Sequence, residues 1–271
     1  MEENNPIERV KLPNIKNIIV VASGKGGVGK STVAAGLAAS LAREGYSTGL
    51  LDADIYGPSV TVLFDLHGMT PPVINREGKD VMVPFKRLGI SLMSIGFFVD
   101  PEKAVIWRGP MASGALKQLL TETYWGELDY LIIDTPPGTG DIHITLLQSY
   151  ETSGVIIVTT PQNLALSDVR KAVNMYHNNE IGTPLLGVIE NMSWFTPTNH
   201  PDEKYFIFGN GGGEMLANEY NIPLLGQIPI NEKMCQSCDS GKINELFADQ
   251  TIFSAFEKLA NSILSTVPAN K

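Results

Sequence analysis

The chain has 271 residues, with 20 Lys+Arg against 29 Asp+Glu and a formal charge of −9. That acidic balance, without any extended Lys/Arg run, argues against a DNA-coating surface. No apolar stretch reaches the roughly 18 residues that a membrane span needs, and two cysteines do not make a disulfide framework. Residues 1–13 are polar, lack the apolar centre of a secretory signal and read as a short flexible arm. Residues 14–271 then form one domain, expected in the cytoplasm, with neither nucleic acid nor membrane as a partner.

In chain order, short apolar runs alternate with helical patterns. Residues 17–23 read as a strand and 30–44 as a helix. Residues 48–53 read as a second strand. Residues 81–84 and 90–94 read as an inserted hairpin or extra edge strands. A helix over 110–123 precedes a strand over 130–134 and another over 154–160. A helix over 166–177, a strand over 185–190, a helix over 212–220 and a strand over 224–228 follow. Several strands are near-continuous Val/Ile/Leu, as strands buried on both faces of a parallel sheet are. The repeated β–α unit predicts an α/β fold with a doubly wound, mostly parallel sheet. In the tail, Ile252, Phe253, Phe256, Leu259, Ile263 and Leu264 recur at helical spacing with Lys258 the only base among them. That pattern suits a helix packed on the sheet better than a lipid anchor.

Between the first strand and the first helix lie Gly24, Lys25, Gly26, Gly27, Val28, Gly29, Lys30, Ser31 and Thr32. They satisfy G-x-x-x-x-G-K-[ST] in the strand–loop–helix setting that a P-loop needs. The glycines let backbone N–H groups converge on phosphate oxygens, and the helix that follows points its positive end at the same place. Lys30 is expected at the β/γ-phosphates of ATP and the Ser31 hydroxyl on Mg²⁺. Leu131, Ile132, Ile133 and Asp134 form an apolar run ending in one carboxylate, the shape of a strand that holds Mg²⁺ through its water shell. Thr135-Pro136-Pro137-Gly138-Thr139-Gly140-Asp141 follows as a stiff turn with hinges, suited to sensing the γ-phosphate. Asp141 reads equally as part of that sensor or as the N-cap of a helix. Asp52 and Asp54 close the second strand in D-A-D-I-Y-G-P-S, pointing to opposite faces or flanking a turn, with a merely acidic turn as the alternative.

The early lysine, as K-G-G-V-G-K-S-T, resembles the deviant Walker A family of MinD, ParA, the nitrogenase iron protein and the Mrp/ApbC iron–sulfur carriers. D-A-D-I-Y-G-P-S, D-T-P-P-G-T-G-D, W-R-G-P-M (Trp107 to Met111), E-N-M-S (Glu190 to Ser193) and L-L-G-Q-I-P-I (Leu224 to Ile230) are most similar to the Mrp/ApbC branch. The likeness runs from about Asn14 to Gly241 and lacks the small domain that many such proteins carry ahead of the ATPase. It implies an ATPase acting as a homodimer, with Lys25 reaching the partner's phosphates and Asp54 orienting the attacking water. It further places Asp52 near the phosphates and Mg²⁺, and Asn191 on the adenine. Its cargo would be a 4Fe-4S cluster passed to apo iron–sulfur proteins together with assembly factors.

One departure stands out. The loop after E-N-M-S, where relatives carry C-x-x-C, reads Trp194-Phe195-Thr196-Pro197-Thr198-Asn199-His200-Pro201 here. Cys235 and Cys238 lie later, in polar, turn-like surroundings. Two thiolates are too few for a closed site, but a two-fold dimer would supply four. Cluster ligation, zinc, a redox disulfide or no role at all stay open, with His200 and Asp202 as possible extra ligands. Two other functions also remain open: a MinD/ParA-type positioning switch, and an assembly scaffold holding no cluster of its own.

Overall fold

A computed structural model describes residues 9–99, 109–177 and 182–269. In chain order these are β1 (Ile15–Ser23), α1 (Lys30–Arg43), β2 (Thr48–Asp52), α2 (Val60–Leu63), β3 (Val73–Arg76), β4 (Lys79–Met82), β5 (Phe85–Arg87) and β6 (Ile90–Ser94). There follow α3 (Gly109–Thr121), β7 (Leu128–Asp134), α4 (Asp141–Ser149), β8 (Gly154–Thr159), α5 (Asn163–His177), β9 (Leu185–Phe195) and α6 (Gly212–Tyr220). The last elements are β10 (Leu224–Ile230), α7 (Glu232–Asp239) and α8 (Gln250–Thr266).

Eight strands form one sheet in the order β10-β9-β8-β1-β7-β2-β6-β5, and β3 pairs with β4 as a separate hairpin. Every pair in the large sheet is parallel except β5 with β6 at the edge. β1 sits between β7 and β8, so chain direction across the sheet switches at its carboxyl end. That is where open α/β sheets form a crevice for ligands. Ile18 to Ala22 and Leu131 to Ile133 are fully buried, which is why these strands are apolar without alternation.

The expected doubly wound sheet is therefore present, with three local differences. β9 continues past Glu190 to Phe195, because Met192 adopts a left-handed φ of 57° and the strand bulges there instead of ending. Val10, within the N-terminal arm, is tied to the end of α4, since its N–H donates to Ser149 O (2.8 Å) and its carbonyl accepts from Glu151 N–H (3.0 Å). The segment around the cysteines, expected to be turn-like, is the helix α7. Of the W-R-G-P-M motif, Trp107 and Arg108 lie outside the described residues, while Pro110 stands in the first turn of α3 as expected.

The tail helix α8 buries Ile252, Phe256, Leu259 and Ile263 against α1 and β10. Its apolar face is thus used inside the domain and is not presented to lipid. No helix among the described residues is long and apolar enough to cross a membrane.

Candidate functional site

The loop between β1 and α1 bends through two left-handed glycines, Gly27 (φ 81°) and Gly29 (φ 79°), which a side chain would strain. Gly24 approaches α5 so closely that a Cβ there would lie 2.3 Å from Val169 N. The loop encloses a cavity of about 430 Å³, walled also by Asp54 and Pro58 from the turn after β2, Pro137, and Cys238 of α7. No side chain caps the start of α1, so its first N–H groups face this cavity.

Lys30 is buried, and its ammonium donates to Asp134 Oδ1 at 2.5 Å with Asp54 Oδ2 at 3.7 Å. Asp134 and Asp52 are paired neighbours on β7 and β2, both fully buried. Three carboxylates thus face one buried ammonium. Desolvation first, then the Asp134 charge, pushes the Asp52 carboxyl up to about 7. Desolvation also raises Asp134, against the pull of Lys30. Asp134 Oδ2 is buried and has no hydrogen-bond partner among the described residues. Excess negative charge, an unpartnered carboxylate oxygen and the neighbouring Ser31 hydroxyl, 3.5 Å from Lys30 Nζ, make a hard-oxygen setting that fits Mg²⁺.

The two aspartates after β2 divide their work. Asp52 accepts from Asp54 N–H, Ser59 N–H, Val60 N–H and the Ser94 hydroxyl, each at 3.0 Å. Oδ2 takes three of these donors and Oδ1 one, which folds the turn and ties it to β6. Asp52 therefore shapes this turn, beside Asp134 on the neighbouring strand. Asp54 accepts from Tyr56 N–H (3.1 Å) and Gly57 N–H (3.2 Å) and lines the phosphate cavity. Lys25 lines the same cavity, half-buried, with no ion pair among the described residues.

The turn after β7 is anchored at several points. Thr135 donates through its hydroxyl to Val21 O (2.8 Å), and Gly138 N–H donates to Ser23 O (2.8 Å). His143, fully buried on α4, joins Pro136 O (2.9 Å) to the Tyr176 hydroxyl (2.5 Å) on α5. Burial pushes its imidazole down to about 4, so it is neutral at pH 7; Nδ1 accepts from Tyr176 and Nε2–H donates to Pro136. Sequence reasoning did not single out His143, because nothing local marks it. The N-cap of α4 is Gly140, with Asp141 in the first turn, so the capping reading of Asp141 is corrected.

Asn191 donates to Val28 O (2.8 Å), tying β9 to the phosphate loop, and its Oδ1 is buried with no partner among the described residues. It faces a second cavity, about 270 Å³, next to the first. Glu190 braces this wall by accepting from Gly213 N–H (2.6 Å) and Gln227 Nε2 (2.8 Å). Cys235 is exposed and Cys238 buried on α7. Burial raises the Cys238 thiol to about 11. Among the described residues no group of three or more His, Cys, Asp or Glu could hold a metal, and His200 instead meets Glu203 (3.3 Å). The cysteines are thus not joined by His200 and Asp202 within one chain.

Residues 14–264 match the family model described as NUBPL iron-transfer P-loop NTPase. An iron–sulfur cluster carrier protein of Synechocystis is 47% identical over 234 residues, covering 86% of this chain and 66% of that protein. One from Pseudomonas fragi is 51% identical, covering 85% and 79%. A solved nucleotide-binding protein of Archaeoglobus fulgidus, in complex with ADP, superposes with a TM-score of 0.75 at 38% identity, covering 90% of this chain and 93% of that one.

Proposed function

The chain belongs to the NUBPL iron-transfer P-loop NTPase family, the iron–sulfur cluster carrier ATPases, and on that premise we propose that it works as a homodimer whose ATP site is completed by the partner's Lys25. The observation that carries this reading is the contrast between the two loop lysines. Lys30 is already neutralised by Asp134 and Asp54, whereas Lys25 stands over the cavity with no counter-charge of its own among the described residues.

In this reading the triphosphate takes the loop N–H groups and Lys30, while Ser31 and Asp134 hold Mg²⁺, which shields phosphate charge when bound. Asp54 orients a water and accepts its proton. The water oxygen bonds to the γ-phosphorus as the bond to the β–γ bridging oxygen breaks, and ADP and phosphate leave. The partner's Lys25 stabilises the charge developing on the transferred group. Loss of phosphate then frees the turn from Thr135 to Asp141.

The cargo would be a 4Fe-4S cluster, held by the thiolates of Cys235 and Cys238 from both copies and passed to apo iron–sulfur proteins in the cytoplasm with assembly factors. α7 packs against α2, the helix that follows the Asp54 turn, so the cysteines ride on an element that touches the nucleotide-sensing loop. Gly241, just past α7, would place a Cβ 3.0 Å from Val62 O, so this contact is close. Anaerobic reconstitution with iron and sulfide tests the cargo site. About four irons per dimer are expected, and Cys235→Ser/Cys238→Ser should bind none. Equal iron in both proteins would move the ligands elsewhere. No iron in either would favour an ATP-driven assembly scaffold that holds no cluster.

A further inference from the structure

The cysteine pair does not stand on a free face. The second cavity is walled by Gly29 and Thr32 of the phosphate loop, Asn191 of β9, Pro229 of β10, and both Cys235 and Cys238 of α7. Gly29, Thr32 and Cys238 also line the phosphate cavity, so the two spaces adjoin along the loop. Three residues apart on a helix, the two cysteines project from one side.

The chemistry of this cavity is that of a planar heteroaromatic ring. Met192, Phe208 and Ile230 give it apolar walls. Its buried polar group is Asn191, 1% exposed, whose Oδ1 is an acceptor without a partner among the described residues. An N–H donor on a flat ring, joined to phosphates lying in the neighbouring cavity, describes the base of a nucleotide.

The α7 wall cannot swing aside easily. Asn231 caps the helix by accepting from Met234 N–H (2.9 Å), and it is itself tied to Asp249 Oδ2 (3.0 Å). At the other end Lys242 N–H donates to Ser237 O (2.8 Å), and Gly241 abuts Val62 and Asp65. A helix fixed at both ends keeps its thiols where the base must lie.

We infer that Cys235 and Cys238 are nucleotide-masked thiols: the base of a bound nucleotide covers them, and an adduct on Cys235 keeps the base out. This rests only on the ATP-binding part of the reading above. It does not require that the pair holds a cluster. If the pair does hold one, cargo and nucleotide base contend for one space, so nucleotide occupancy controls access to the cargo site.

The test is the rate at which iodoacetamide alkylates Cys235, followed by mass spectrometry on the whole chain. A thiol reachable only in the free protein reacts about 100-fold slower at a ligand concentration of 100 Kd. Cys235 also has an exposed side, so with saturating MgADP the expected slowing is at least about tenfold. The carboxamidomethyl adduct should weaken ADP binding in calorimetry by a comparable factor. Inorganic tripolyphosphate, which fills the phosphate cavity without a base, should leave the alkylation rate unchanged. A rate altered less than about twofold by MgADP overturns the inference, as does equal protection by tripolyphosphate. ADP binding without masking overturns this inference alone. Absence of ADP binding in calorimetry overturns the ATPase reading and this inference together.

Discussion

Lys25→Ala is expected to lower ATP turnover by about 10³-fold or more while ATP still binds, the size of effect seen when a cation supplied to transferring phosphate is removed. In the proposed site, the β- and γ-phosphates meet the loop N–H groups and Lys30 of one copy. Those groups hold the ground state, and Lys30 is buried and fixed by Asp134. Lys25 is half-buried beside the cavity and carries no ion pair among the described residues, so its ammonium is free to meet charge that appears only during transfer. A group acting only in the transition state lowers kcat and leaves ligand affinity nearly intact when removed. Steady-state phosphate release, beside calorimetric ATP affinity, reads both quantities. Equal losses of affinity and turnover would make Lys25 a ground-state phosphate ligand instead.

Asp54→Asn should lower turnover by about 10²- to 10⁴-fold, the range of a general base. Asparagine keeps the size and the acceptor that Tyr56 and Gly57 N–H groups need, so the turn after β2 should keep its shape. It removes one of the three carboxylates crowded around Lys30, which lessens repulsion of the triphosphate. ATP affinity should therefore hold or rise as hydrolysis fails, and ATP should stay trapped. Chromatography of the bound nucleotide after a single turnover distinguishes ATP from ADP. Wild-type turnover in Asp54→Asn would remove Asp54 from the chemistry.

The parallel sheet was legible because strands buried on both faces leave unbroken Val/Ile/Leu runs, and the phosphate loop because its glycines and lysines have fixed spacing. α7 was not read, since Glu-Lys-Met-Cys-Gln-Ser-Cys-Asp looks as polar as a turn. A signal was there nonetheless: Asn231 as cap with Glu232 in the first turn marks a helix start. β9 was cut short because a left-handed Met192 inside a strand has no sequence mark. The bridge from Tyr176 through His143 to Pro136 joins α5, α4 and the turn after β7, and depends on packing alone. Likewise Asn191 and Cys235 lie far apart in sequence and share a wall only because β9 and β10 pair and α7 follows β10. The four donors that Asp52 accepts from, in its own turn and on β6, were not legible, because Ser94 lies 42 residues away in the chain.

In the proposed dimer each ATP site is shared between two copies. Mixing Lys25→Ala with Asp54→Asn in equal amounts, and allowing subunits to exchange, tests it most directly. Each variant alone is expected to be inactive. In a mixed dimer, the Lys25→Ala copy keeps its own Asp54 and receives Lys25 from its partner. Half the dimers then carry one intact site of two, so about a quarter of wild-type turnover should return. A mixture that stays as inactive as its components, with mixed dimers shown to form, would mean that Lys25 serves the loop on its own chain and would contradict the account.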